Sequence, residues 1–227
     1  MTTFDEINTT LCLFLDDSPK EGELKYQFPL PLRIAGWNWA QQVFQNHTLR
    51  EATCSVVIDD AQRSAILPSD LVSIATIYDH LNERTYARRS FAAGGHRNDY
   101  SENFAYWTWG GRLRFDRTVS EPLVLEYYAT WPNITYNVNN EGKVVYVNDA
   151  VLVPEWAHKA LAHLTTAAVL HPPAITAAMS NEYKIKIDSG TPLDNPREQQ
   201  ARAELWWYNE LIALCPVQTR VYGAGNE

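Results

Sequence analysis

The sequence predicts an α+β protein: a helical bundle with an inserted small antiparallel β-sheet and a C-terminal extended tail. Three observations lead there. Apolar residues recur at helical spacing near the N-terminus and again after Val153, while the stretch between them is rich in β-branched and aromatic residues that alternate with polar ones. With 227 residues, 45% hydrophobic, the chain can bury one substantial core or two small ones. The segment after Cys215-Pro216 offers little to fold around. On this reading 1–50 and 150–215 form the bundle, 51–149 the β-rich insertion, and 216–227 the tail.

The first helix is expected within 1–20. Thr3 can cap it, Asp5 and Glu6 suit the positive end of the helix dipole, and Phe4, Ile7, Leu11 and Phe14 share a face. Asp16-Asp17-Ser18-Pro19 stops it. A second helix follows Pro29-Leu30-Pro31, with Ile34, Trp37, Gln41 and Phe44 on one side and Trp39 and Val43 widening it. Ala52–Ile58 reads as a strand. Leu71–Tyr78 is ambiguous, and the pattern favours a first helical turn running into a strand at Ile74–Tyr78. Ala92–Asn103 is loop-like around Gly94-Gly95. Tyr106–Trp109 and Arg112–Phe115 then form a hairpin about Gly110-Gly111, Leu123–Tyr128 a half-buried strand of the same sheet, and Asn137–Tyr146 an exposed hairpin turned by Asn-Glu-Gly.

From Val153 the signal is helical. Pro154 occupies a favoured first-turn position, and Trp156, Ala160, Leu161, Leu164, Ala167 and Ala168 make an apolar face. A further segment, Ala174–Tyr183, starts after Pro172-Pro173. The last helix begins at Asn195-Pro196 and buries Ala201, Leu205, Tyr208 and Ile212 before Cys215-Pro216.

No phosphate loop, dinucleotide fingerprint, nucleophile elbow or His-Glu-x-x-His pattern is present. His158 and His163 are five apart, on different sides of a helix, and His171 is two turns beyond His163, so they do not stack as metal ligands. Asp16/Asp17 and Asp59/Asp60 are neighbours that point apart and serve as turn formers. Cys12, Cys54 and Cys215 are too scattered for a disulfide framework or a zinc site. No catalytic, metal or cofactor-binding residue is assigned, and no enzyme is expected. Without a signal peptide or a long apolar run, the chain is expected to be made in the cytoplasm, with no membrane partner. Its net charge of −8, with no basic run, argues against gripping nucleic acid, although such a surface can lie beside DNA and repel it.

Two groups of residues point to interfaces. Arg84, Arg88 and Arg89, with Arg97, Arg112, Arg114 and Arg117 close by, would make a basic patch for an acidic partner surface; ordinary pairing with Glu83, Asp99, Glu102 and Asp116 is the plainer alternative. Trp107 and Trp109 share one face of a strand, with Tyr106 on the other. Trp206-Trp207-Tyr208 places at least one indole away from the helix's core side. Rings on both sides of an element call for a second surface to bury, and Trp, Tyr and Arg favour interfaces.

Several stretches resemble, in order and texture, the head-to-tail adaptor (connector, head completion) proteins of tailed bacteriophages. They are Leu67-Pro68-Ser69-Asp70-Leu71-Val72-Ser73-Ile74; the hairpin Tyr106-Trp107 and Arg112-Leu113-Arg114-Phe115; and Leu123–Pro132, with Tyr127-Tyr128 and Pro132 matching the family's strand. Val153-Pro154-Glu155-Trp156 with Ala160-Leu161, and Pro192–Pro196 through Trp206-Trp207-Tyr208, resemble the helices that follow. The resemblance covers roughly residues 60–215; residues 1–50 do not align.

It implies a structural virion protein at the neck. Copies would form a ring, commonly of twelve subunits, below the portal protein, meeting a tail or nozzle protein and lining a channel for passing genomic DNA without sequence-specific binding. The tail, with Arg220 and Tyr222, would dock on the portal or a neighbouring subunit. Arg84, Arg88, Arg89, Trp107, Trp109, Trp207, Arg220 and Tyr222 are therefore the expected interface residues. The alternatives are another neck or tail-completion protein, or a carbohydrate-binding module using Tyr106, Trp107 and Trp109 as a stacking platform.

Overall fold

The structure, a computed structural model, describes residues 2–17, 27–58, 63–88, 105–116, 119, 122–171 and 196–215. The chain divides into two compact units, Met1–Thr48 with Trp131–Glu227, and Leu49–Thr130.

The first unit begins with β1 (Thr2–Thr3) and α1 (Phe4–Phe14), continues with α2 (Leu30–Phe44), and resumes after the second unit. The second unit holds β2 (Arg50–Val56), β3 (Ser64–Ile66), β4 (Leu71–Asp79), β5 (Arg84–Thr85), β6 (Ala87–Arg88), β7 (Ala105–Trp109), β8 (Arg112–Phe115) and β9 (Leu123–Ala129). Back in the first unit come β10 (Thr135–Val138), β11 (Val144–Asn148), β12 (Ala150–Val151), α3 (Glu155–Leu170) and α4 (Pro196–Ala213).

The expected helical bundle with one small inserted sheet is not what the chain builds. It is a mixed α and β protein, with four helices, four sheets and about a third of the residues in strands, counted over the described residues. The strands between Leu49 and Thr130 do not form one sheet. They form two, ordered β2-β9-β4-β5 and β3-β8-β7-β6, whose inner faces share a core of Val56, Ile77, Leu113, Phe115, Leu123 and Leu125. All pairings are antiparallel except β6 with β7. Two short sheets, β1-β12 and β10-β11, belong to the helical unit instead.

β4 explains part of the difference. It is strand throughout, with no helical first turn, and its register against β9 slips between Leu71 and Ser73 and again between Ile74 and Thr76. Each bulge resets which face a side chain takes, so the period-two signal is lost over Leu71–Thr76. The hairpin β7-β8 closes as its sequence requires: Gly110 and Gly111 have φ of +60° and +72°, a region a two-residue turn needs at both positions.

Helix starts and stops follow local chemistry. Thr3 is extended, and its N–H donates to Glu6 Oε2 at 3.3 Å, one half of a capping box for α1. Asp16, at φ +50°, turns the chain out of α1. Asp17, 3% exposed, then accepts the N–H groups of Gln27 (2.7 Å) and Phe28 (3.0 Å), and its other neighbour is the guanidinium of Arg33, 1% exposed, at 3.9 Å. Arg33 also donates to Cys12 Sγ on α1. Burial pushes the Cys12 thiol up, against the opposing pull of Arg33.

The first unit's main core gathers Phe4, Leu11, Trp37, Phe44, Trp131, Ile134 and Leu161. Phe4 meets Trp37 and Tyr146 edge-on at 6.2 Å each, and the Tyr146 hydroxyl donates to Asp5 at 2.9 Å, which ties the β10-β11 hairpin to α1. Burial, and then that hydrogen bond, raise the Tyr146 phenol far above its ordinary value. α3 is buried on most sides from Ala160 to Leu170; Trp156, expected on its buried face, is 41% exposed because it lies in the first turn. A Cβ on Gly36 would stand 3.0 Å from Val169 Cγ2 and 3.3 Å from Thr165 Cγ2, so α2 meets α3 at this residue. The expected helix at Ala174–Tyr183 and the tail 216–227 lie outside the described residues.

Two outcomes test this packing. Gly36→Val drives a branched side chain into α3 and is expected to cost about 1–3 kcal/mol by overpacking, read as a lower Tm; a melt superimposable on the parent's would show the contact is not tight. Asp17→Ala strands a buried guanidinium and is expected to cost about 3–5 kcal/mol in urea denaturation. A loss below about 1 kcal/mol, the level of an exposed pair, would show that the carboxylate is dispensable.

Candidate functional site

Chemically distinctive surfaces occur in both units. In the second, pairing across the hairpin sets Trp107 opposite Arg114 and Trp109 opposite Arg112, so two indoles and two guanidiniums occupy one face. β3 extends that face with Ser64 opposite Arg114 and Ile66 opposite Arg112. Tyr106, Leu113 and Phe115 take the other side and are buried, which removes Tyr106 from the three-ring platform considered above. Trp109 is 70% exposed and Ile66 75%. Arg112 Nε donates to Ser64 Oγ at 3.1 Å, which fixes the guanidinium's stem. Arg114 has its Nε buried with no hydrogen-bond partner, and neither arginine pairs with a carboxylate among the described residues.

The other arginines are used differently. Arg84 sits on β5, in the opposite sheet, with Nη2 3.0 Å and Nε 3.1 Å from Asp79 Oδ2. The buried Asp79 also receives the Asn82 side-chain amide at 2.7 Å and the N–H groups of Leu81 and Asn82, which organises the turn after β4. Burial alone would raise this carboxyl; the donors from Asn82 and Arg84 outweigh it and hold it below the ordinary value. Arg88, exposed on β6, stands in register with Tyr106. Arg84 is thus engaged by a carboxylate that the sequence reading did not offer it. Of the described arginines, Arg112 and Arg114 share a face with the tryptophans, and Arg84 lies on the other sheet. Arg89, Arg97 and Arg117, with Arg220 and Tyr222 of the tail, lie outside the described residues.

In the first unit, α4 packs Ala201 and Tyr208 inward, with Leu205 and Ile212 partly covered. Its outer side carries Trp206 (54% exposed) and Trp207 (48%), the two indoles meeting edge-on at 4.7 Å, and Leu214 just past its end is 84% exposed. Beneath them lies a cluster the sequence reading missed. His163 on α3 stacks on Phe14 of α1 at 4.4 Å and, further off, on Trp207 at 6.3 Å, and its Nδ1 is 2.5 Å from Glu204 Oε2. The alternation of residue types along α3 carries no sign of this contact, which depends on α4 lying alongside. His158 does something separate, its Nε2 lying 2.8 Å from Val153 O.

Each unit also has an open groove among its described residues. One of about 400 Å3 runs over the outer face of β2-β9-β4, where Glu51, Thr53, Glu126 and Tyr128 line it. In the first unit, another of about 460 Å3 lies between α1 and α3, among Glu6, Thr10, Phe14, Glu155, His158 and Lys159. Among the described residues no group of three or more His, Cys, Asp or Glu could hold a metal ion, and no helix is long and apolar enough to cross a membrane.

Because the Asp79 carboxyl is held below its unfolded value of 3.8, the stability it contributes is complete above that pH and drains away as pH falls through the lowered value. Asp79→Asn is therefore expected to be less stable than the parent by about 3 kcal/mol at neutral pH and to lose less further stability between pH 4 and 2. Circular dichroism melts across that range check it, and parallel acid profiles for the two proteins would refute the role. No protein-family model matches the chain, and a search of curated proteins finds no match either.

Proposed function

We propose that this protein is a structural subunit that assembles with copies of itself, in the specific form of a phage head-to-tail adaptor: a ring below the portal protein that extends the DNA channel towards the tail. One observation carries the self-assembly. The second half of α4 is apolar on its outer side as well as its inner one, with Trp206, Trp207 and, just past its end, Leu214 exposed beyond what a helix facing water needs. From 203 to 214 its exposed positions are Ala203, Trp206, Trp207, Asn209, Glu210, Ala213 and Leu214, of which Glu210 alone is charged. A second copy of a chain with net charge −8 can approach there with little repulsion, which favours like meeting like.

The adaptor form is supported by the resemblance of Leu123–Pro132, Val153–Trp156 and the Trp206-Trp207-Tyr208 helix to that family. It does not rest on a helical bundle, which the chain does not have. A predominantly acidic subunit suits a channel wall along which DNA slides without being held. The same α4 side would then face the neighbouring subunit of the ring.

The wild-type protein is expected to form a closed oligomer by mass photometry, alone or on addition of a purified portal ring. Trp206→Ala with Trp207→Ala should return it to monomer while shifting Tm only slightly, because both rings are already half in water. A wild-type chain that stays monomeric under both conditions sinks the proposal.

A further inference from the structure

The β10-β11 hairpin carries a second uncharged apolar face in the same unit as α4. Tyr136, Val144 and Tyr146 turn inward to the helical core, so alternation sends Val145 and Val147 to the other side, with Asn137 opposite Val145. Val145 is 51% exposed and Val147 66%, and Val138 near the turn is 57% exposed. The exposed positions of the two strands are Thr135, Asn137, Val138, Val145 and Val147, none of them charged. Among the described strands these two pair only with each other, and such open ribbons ordinarily carry charge that keeps other chains away. Here charge is confined to the turn, where Lys143 and Glu141 pair at 3.0 Å.

We infer that this valine face receives the outer side of α4 from the next copy of the chain, so that Trp206 and Trp207 of one subunit cover Val145 and Val147 of its neighbour. The inference rests on the self-assembly proposed above and supplies what a ring requires of it. A face that meets its own copy closes the assembly at two subunits, whereas a ring is built from one patch of each subunit on a different patch of the next. α4 provides the first patch and the hairpin the second. They lie far enough apart to be used at once. The Tyr146–Asp5 hydrogen bond fastens the hairpin to the first turn of α1, while Trp207 lies by the last turn, against the His163 ring that stacks on Phe14. With 11 residues, α1 is about 16 Å long. The chemistry of the two patches also matches. The indoles project as anchors, and the valines offer a flat surface on which no charge must be desolvated. Glu210 is the one exposed charge of α4 from 203 to 214, and Lys143 is the hairpin's cation. The bond between Lys143 and Glu141 is open to water, so exchanging it for Glu210 of the neighbour costs little.

Sedimentation velocity on full-length variants tests it. Val145→Lys with Val147→Lys, and separately Trp206→Ala with Trp207→Ala, each remove one patch, and each variant alone is expected to be monomeric. Mixed in equal amounts, the intact α4 of the first and the intact hairpin of the second should give a species of two chains and nothing larger. The replaced side chains are substantially exposed, so folding is preserved. Val145→Thr with Val147→Thr, which keeps strand propensity and cannot disturb the hairpin as lysines could, should weaken the association at least tenfold. If α4 met α4 instead, the valine variants would associate as the wild type does, and the mixture would gain nothing. Undiminished assembly of the valine variants, or no complex in the mixture, overturns this pairing while leaving self-assembly in place; a monomeric wild type removes both.

Discussion

A guanidinium with almost no access to water sets the terms for the first unit. Arg33 projects from the first turns of α2 into a site where an unpaired charge would be intolerable, so its neighbours must supply compensation. Asp17 supplies it, and the same carboxylate takes two backbone N–H groups just ahead of α2. One side chain thus fixes the exit from α1, the entry to α2 and the charge of Arg33 together. Cys12 on α1 completes the ring of contacts as an acceptor. The angle at which α2 leaves this cluster then decides what its remaining faces can meet.

One of those faces meets α3 through Gly36, the position where the backbones have no room for a side chain. Another receives the chain on its return from the second unit. Asn38 bonds both the N–H and the C=O of Ile134, Gln41 reaches Pro132 O, and the Trp131 indole donates to Thr48 O. This seam of hydrogen bonds is the reason that the chain from Trp131 onward belongs with the helices, although its residues read as a continuation of the strand-rich segment. The β10-β11 hairpin follows it and is held by Tyr136, Val144 and Tyr146 against the helical core.

The two units treat their aromatic residues in opposite ways. In the first, Trp37 and Trp131 fill the core while Trp206 and Trp207 remain outside, and from 203 to 214 the one exposed charge is Glu210. In the second, the half-buried Trp107 and the exposed Trp109 stand opposite arginines in strict register. An uncharged aromatic surface suits a partner of the same kind, whereas the arginines of the second unit are set beside rings or carboxylates according to their strand. Arg84 shows how easily sequence proximity misleads on this point. It lies four residues from Arg88, yet its charge is consumed by a buried aspartate that shapes its own turn.

By itself, the sequence determined whatever depends on neighbours in the chain: the starts of α1 and α2 at Thr3 and Pro29, the end of α4 near Cys215, the Gly110-Gly111 hairpin, and the face shared by Trp107 and Trp109. Each follows from backbone chemistry or a fixed period, so a few adjacent residues suffice. The number of sheets and the balance of helix and strand were decided by tertiary pairing. So were the strand character of the first residues of β4, Leu71–Ser73, the partner of Arg84 and the stacking of His163 between Phe14 and Trp207. Those features join residues far apart in the chain, and two bulges erase the alternation over the first half of β4, leaving only Ile74–Tyr78 legible as strand. The opposition of Arg114 and Arg112 to the two tryptophans lies between these extremes, since it follows from the turn once that turn is known to contain two residues.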